Sequence, residues 1–214
     1  PGFSSYLLPL GGTHLLTIGR AGNEEQLNGQ VAIQLFDVSD PANIVQVASV
    51  SPELAGSGGS YSAAEYDPHA FTYFADSEDA ALPGTLSVPL HSYDHVSGTG
   101  FSGFLVMRVD PAAAPALREL GRISHAEFSQ PGNDCRGGGP ASSFAPCRDA
   151  YYAADPRRSV FMQDAQGTYL FTVSALGVMA SDAAVPSTTL GRKPLPFDEP
   201  PCCFAFDDAI SLAP

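Results

Sequence analysis

Gln34-Leu35-Phe36-Asp37-Val38-Ser39-Asp40-Pro41 carries an apolar strand into an Asp-Pro turn, and Ile44-Val45-Gln46-Val47-Ala48-Ser49-Val50 carries the chain out again. The phrase returns as Phe104-Leu105-Val106-Met107-Arg108-Val109-Asp110-Pro111, followed by Leu117-Arg118-Glu119-Leu120-Gly121-Arg122-Ile123. An Asp side chain accepts hydrogen bonds from backbone N–H groups just beyond it, and Pro presets φ, so Asp40 and Asp110 read as caps of equivalent hairpins. The two Asp-Pro steps lie about 70 residues apart, room for one four-stranded sheet with generous loops. Repetition at that period predicts β-propeller blades.

Working outward, the remaining strands fall into groups around these two phrases. Two short apolar runs flank a Gly11-Gly12 turn between Tyr6 and Ile18 and join Val31–Val38 and Ile44–Val50 in a first sheet. The Gly- and Ser-rich stretch from Ala55 to Ser62 reads as a linker. A second sheet takes Ala70–Ala75, Thr85–His91, Phe104–Val109 and Leu117–Ile123, and a third takes Val160–Gln163, Tyr169–Ser174, Gly177–Ala180 and Thr188–Leu190. No segment keeps a 3.6-residue apolar period for three turns, and the most helix-like one, Asp110 to Leu120, is broken by Pro111 and Pro115. The fold class is all-β, with about three four-stranded antiparallel blades. Closed propellers hold roughly four blades or more, so the reading is an incomplete propeller, with a β-sandwich as the alternative. It carries the expectation of further blades, from a missing N-terminal region or from a second copy of the chain.

The formal net charge of -13 argues against a phosphate backbone as partner, because the ten basic residues are scattered and form no stripe. The apolar runs are far too short for a helix that spans a bilayer. Cys135 and Cys147 bracket a glycine-rich loop, while Cys202 and Cys203 are adjacent in a proline-rich tail. An even count placed this way predicts disulfides and an oxidising compartment, with Cys135–Cys147 and the cross pairing to the tail both open. Zinc is disfavoured, since no Cys-x2-Cys spacing occurs and no His neighbours either pair.

Several clusters imitate chemistry. Gly98-Thr99-Gly100-Phe101-Ser102-Gly103 fits a dinucleotide-binding fingerprint, but a strand follows it where the phosphate-binding helix must begin. His91, Asp94 and His95 are metal-ligand types, yet residues four apart on a strand lie about 13 Å from each other. Asp67 and His69 pair a carboxylate with an imidazole, as do His125 and Glu127, without a nucleophile elbow nearby. Asp76-Ser77-Glu78-Asp79 reads as a solvated hairpin tip, and Arg157-Arg158 as a strand start held by nearby carboxylates.

Further stretches carry a family resemblance. They are Pro1-Gly2-Phe3-Ser4-Ser5-Tyr6-Leu7, Leu35-Phe36-Asp37-Val38-Ser39-Asp40, Tyr66-Asp67-Pro68-His69-Ala70-Phe71 and Phe101-Ser102-Gly103-Phe104-Leu105-Val106. Leu120-Gly121-Arg122-Ile123-Ser124-His125, Arg157-Arg158-Ser159-Val160 and Tyr169-Leu170-Phe171-Thr172-Val173-Ser174-Ala175-Leu176-Gly177-Val178 follow in order. Together they resemble the bacterial and archaeal secreted proteins with a C-terminal β-propeller domain. Pro68 departs from the resemblance, standing where the family commonly has a His. The resemblance implies blades over residues 1–196, as the C-terminal part of a larger propeller, with 197–214 a proline-rich, cysteine-containing tail. It also implies an extracellular or periplasmic home, and it names no reaction.

Two functions follow as expectations. The favoured one is a non-catalytic interaction module that binds a protein or glycan and needs no cofactor. The other is a metal-assisted hydrolase or lyase, holding a divalent cation in the propeller channel where His69, His91, His95 or His125 gather beside Asp67 or Asp94. The positions of these histidines discriminate between the two.

Overall fold

In a computed structural model, the described residues are 2–23, 26–52, 59–78, 80–93, 100–128 and 156–196. They form three antiparallel sheets and no closed barrel, an incomplete propeller. The first blade is a meander of β1 (Gly2–Leu10), β2 (His14–Asn23), β3 (Gln26–Asp37) and β4 (Val45–Val50). In the second, β6 (Thr72–Ser77), β7 (Ala80–Tyr93), β8 (Gly100–Val109) and β9 (Leu117–Ser124) repeat that order. A short extra strand, β5 (Gly59–Tyr61), lies beyond β6 along the same long neighbour, β7. The third blade is β10 (Pro156–Gln163), β11 (Thr168–Ser174), β12 (Gly177–Asp182) and β13 (Thr189–Pro194).

Local chemistry sets the turns. Gly11 takes φ 63° between β1 and β2, a left-handed conformation that a side chain disfavours. At the turn between the third and fourth strands of blade 1, Asp40 Oδ1 accepts from Ala42 N at 3.0 Å, and Asn43 N donates to the Asp40 carbonyl at 3.0 Å. Blade 2 repeats the arrangement, with Asp110 Oδ1 accepting from Ala112 N at 3.0 Å and Ala113 N donating to the Asp110 carbonyl at 3.0 Å. Blade 3 has its own version at Asp182, whose Oδ1 accepts from Ala184 N at 2.7 Å and Val185 N at 3.2 Å.

Period-two alternation then sorts each blade into two faces, and burial drives the faces together. Leu16, Ile18, Val31, Ile33 and Leu35 of blade 1 pack on Leu86, Val88, Leu90, Leu105, Met107 and Val109 of blade 2. The opposite face of blade 2, with Phe104, Val106 and Ile123, meets Phe161, Leu170 and Met179 of blade 3. This succession of three stacked sheets replaces the two-sheet sandwich alternative.

Two expectations need correction. The stretch read as a linker contains β5, which stitches blades 1 and 2 together: Ser60 Oγ accepts from Val31 N at 2.9 Å. Small polar composition announced a loop, whereas the hydroxyl supplies a bond that an apolar side chain cannot. The predicted disulfides are also overturned, because no two of the four cysteines lie near disulfide distance. Cys135, Cys147, Cys202 and Cys203 fall outside the described residues, as does the tail 197–214. Cysteine parity and a glycine-rich spacer say nothing of Cα separation, which a disulfide limits to about 7 Å.

Candidate functional site

The residues proposed for chemistry are dispersed. His91 is buried on β7, its ring stacked on Tyr61 at 4.4 Å with the planes 7° apart. His125 is buried at the joint of blades 2 and 3, with Nε2 2.9 Å from the Thr172 hydroxyl. Its ring lies 5.6 Å from Phe104 and 5.4 Å from Phe128, and its Nδ1 has no hydrogen-bond partner. Burial alone pushes the His125 pKa down from 6.5 to about 4, so the ring is neutral at physiological pH. His69 is exposed, its Nδ1 3.4 Å from Asp67. Asp94 and His95 lie outside the described residues. Among the described residues no three His, Cys, Asp or Glu side chains come together in a way that could hold a metal ion.

The acidic groups are likewise taken up. Asp76 forms a bidentate pair with Arg108, at 2.7 and 2.5 Å, across the strands of blade 2. Asp67 accepts from His69 N at 2.8 Å and pairs with Arg158 at 2.7 Å, linking the loop before β6 to the start of β10. The His69 N–H, and after it the Arg158 guanidinium, hold the Asp67 carboxyl below the usual carboxylate range. Thr72 adds a second tie between these blades, its hydroxyl donating to the Ser159 carbonyl at 2.6 Å.

What the fold builds instead is a groove. Tyr6, Leu8 and Leu10 of β1 form one wall, and Phe71, Thr72, Tyr73 and Ala75 at β6 form the other, around about 430 Å³. Tyr6 and Phe71 meet edge to face at 4.7 Å between ring centres. Tyr73 is fixed by donating its hydroxyl to the Ala81 carbonyl at 2.6 Å, and burial together with the Asp76 charge raises its pKa. Pro68 closes one end, which puts the Asp67–Arg158 pair and the exposed rings of Tyr66 and His69 in the neighbouring loop. An apolar, aromatic-sided trough beside a polar loop is suited to holding a chain-like ligand, not to bond-breaking.

Compared with protein families, residues 1–185 match the one described as Beta propeller domain. The chain belongs to the β-propeller domain family. No curated protein matches it. Membership agrees with the three stacked blades and extends through β12, whereas β13 follows the matched residues. No helix among the described residues is long and apolar enough to cross a membrane.

The sequence contained a signal for one feature of this region that the motif reading passed over. Ser62-Ala63-Ala64-Glu65 is a capping box, and it forms around a single 3-10 turn, Ala63–Glu65. Glu65 then receives Arg20 from blade 1, Nε to Oε1 at 2.7 Å and Nη2 to Oε2 at 3.1 Å. No spacing rule joins positions 45 residues apart.

Proposed function

We propose that this chain is an exported, non-catalytic β-propeller module that binds a protein or glycan through the groove between β1 and β6. The observation that carries the reading is the groove itself, with Tyr6, Phe71 and Tyr73 presented together. Aromatic faces stack on sugar rings and on apolar peptide side chains alike, and fixed rings lose little conformational entropy on binding. Support for a non-catalytic role comes from the dispersal of His69, His91 and His125 to three different environments. Export is supported by the resemblance to secreted propeller proteins. In this proposal further blades complete the ring.

The test is titration with soluble polysaccharides and with unstructured peptides, followed by tyrosine emission, since the chain contains no Trp. Ala81 lines the groove, so Ala81→Arg fills it. One ligand class is expected to bind, with affinity at least tenfold weaker in Ala81→Arg at unchanged melting temperature. Unaltered binding by that variant would move the site elsewhere.

A further inference from the structure

The two ends of the arc carry faces that are copies of faces already mated inside it. On blade 3, Phe171 stands opposite Val160 and Ala180, and Val173 opposite Val178, so these side chains share the face directed away from blade 2. Val160 and Met162 are 50% and 56% exposed, and none of this set belongs to either buried cluster. On blade 1, Leu7 stands opposite Thr17 and Leu15 opposite Phe36, on the face directed away from blade 2. Leu7 is 53% exposed. The centre of that face is a cross-strand ladder, with Ser4 Oγ donating to Thr17 Oγ1 at 3.0 Å and Thr17 Oγ1 to Gln34 at 3.5 Å.

Sequence and register together show that these ends correspond to the two sides of one joint. Thr13-His14-Leu15-Leu16-Thr17-Ile18 and Thr168-Tyr169-Leu170-Phe171-Thr172-Val173 occupy the start of the second strand of their blades. In blade 3, Leu170 and Thr172 face backward into blade 2, buried, with Thr172 bonded to His125. Leu15 and Thr17 are their counterparts on blade 1, facing backward onto no described neighbour. In blade 1, Leu16 and Ile18 face forward and are buried against blade 2. Phe171 and Val173 are their counterparts on blade 3, facing forward onto no described neighbour. The chain therefore presents a forward face at one end and a backward face at the other, the combination that makes both internal joints.

We infer that the forward face of blade 3 docks on the backward face of blade 1 of a second copy, so that two chains close one six-bladed ring. The inference rests on the reading that further blades complete the ring, and it names them. Head-to-tail contacts form rings when the rotation closes. Propellers typically close with 4–8 blades, and six is the only multiple of three in that range. Charge does not oppose the contact despite -13 per chain. The named side chains of the blade 1 face are uncharged, and the blade 3 face carries Arg158 and Lys193 with Asp182 at its margin. Continuity with the two apolar internal joints identifies the occupant as another blade of this kind.

The test is the mass of the full chain by light scattering after size exclusion, across a tenfold range of concentration. Twice the 22.3 kDa chain mass is expected. Phe171→Arg and Leu15→Asp are each expected to halve that mass without changing the circular dichroism spectrum. Mixing the two variants is expected to restore the dimer, since one joint of the mixed pair is wild type and the other places the opposite charges together. A folded wild-type monomer, an open series of larger species, or a dimer unaffected by both substitutions would each overturn the inference. Ligand titration at the β1–β6 groove is read separately, so loss of the dimer with binding retained sinks this inference and leaves the proposed function standing. Should either variant fold poorly, the conservative Phe171→Ala is expected to weaken association at least tenfold.

Discussion

Arg20 and Glu65 give the sharpest test of how blades 1 and 2 are held together. Removing the guanidinium by Arg20→Met leaves a carboxylate whose side chain is 1% exposed and keeps one described donor, Ser62 N at 2.9 Å. Leaving one partner of a buried ion pair uncompensated costs about 3–5 kcal/mol. That is a large share of the ~5–15 kcal/mol by which domains are usually stable. The Arg20 side chain is 23% exposed, so the reverse change is milder: Glu65→Gln leaves a cation that can reach water. We expect Glu65→Gln to cost about 1–2 kcal/mol, mostly the loss of charge-assisted bonds. The double variant Arg20→Met/Glu65→Gln strands no buried charge, and it should therefore be more stable than Arg20→Met alone. Urea unfolding at neutral pH reads all three from the midpoints at constant slope. A loss under about 1 kcal/mol for Arg20→Met would refute the reasoning, as would a double variant whose cost is the sum of the singles.

Further predictions follow from the other joints and turns. Asp40→Ala and Asp110→Ala each remove one Oδ1 bond in matching geometry, and each should lower stability by about 1 kcal/mol in the same urea assay, leaving ligand binding unchanged. Leu170→Ala empties a fully buried site between blades 2 and 3 and should cost about 2–5 kcal/mol. His125 stays neutral in the fold down to about pH 4, whereas in the unfolded chain it takes up its proton near 6.5. Stability is thus full above pH 6.5 and falls by about 3 kcal/mol as pH drops from 6.5 to 4, a slope that His125→Gln should flatten. Asp37 and Asp67, both held below the usual carboxylate range, add a separate loss at still lower pH, as each protonates in the fold.

The blades were legible because two independent signals coincided at Asp40-Pro41 and Asp110-Pro111: a strand pattern of period two and a turn residue that caps by its own side chain. The second repeat, around Leu15-x-Thr17 and Leu170-x-Thr172, is equally present in the sequence. It lacks Gly or Pro punctuation, and only the strand register shows which side chains point forward and which back. β5 was hidden for a different reason. Three residues of Gly, Ser and Tyr carry no periodicity, and their pairing with β7 depends on the distant strand being long enough to hold β6 and β5 end to end. Arg20–Glu65 and His125–Thr172 bridge separate blades, so neither pairing can be read until the blades are stacked.

The candidate site was the least legible part, and the acidic residues explain why. Carboxylates beside histidines suggested metal or proton chemistry, but Asp37, Asp40, Asp67, Asp110, Asp164 and Asp182 each accept a backbone N–H from two residues further on. A carboxylate committed to its own turn already has its hydrogen bonds satisfied when folding ends. In a sheet protein with this many tight turns, Asp abundance measures the number of turns to be capped. The same accounting applies to the histidines. His91 and His125 are buried among rings and hydroxyls, where they fill joints between blades. Once these polar groups are assigned to architecture, the residues still facing outward are aromatic and aliphatic: the walls of the β1–β6 groove and the two end faces of the arc. Recognition by this molecule therefore has to be built chiefly on apolar contact, and a sequence search for ionisable clusters was looking at the groups that hold the scaffold together.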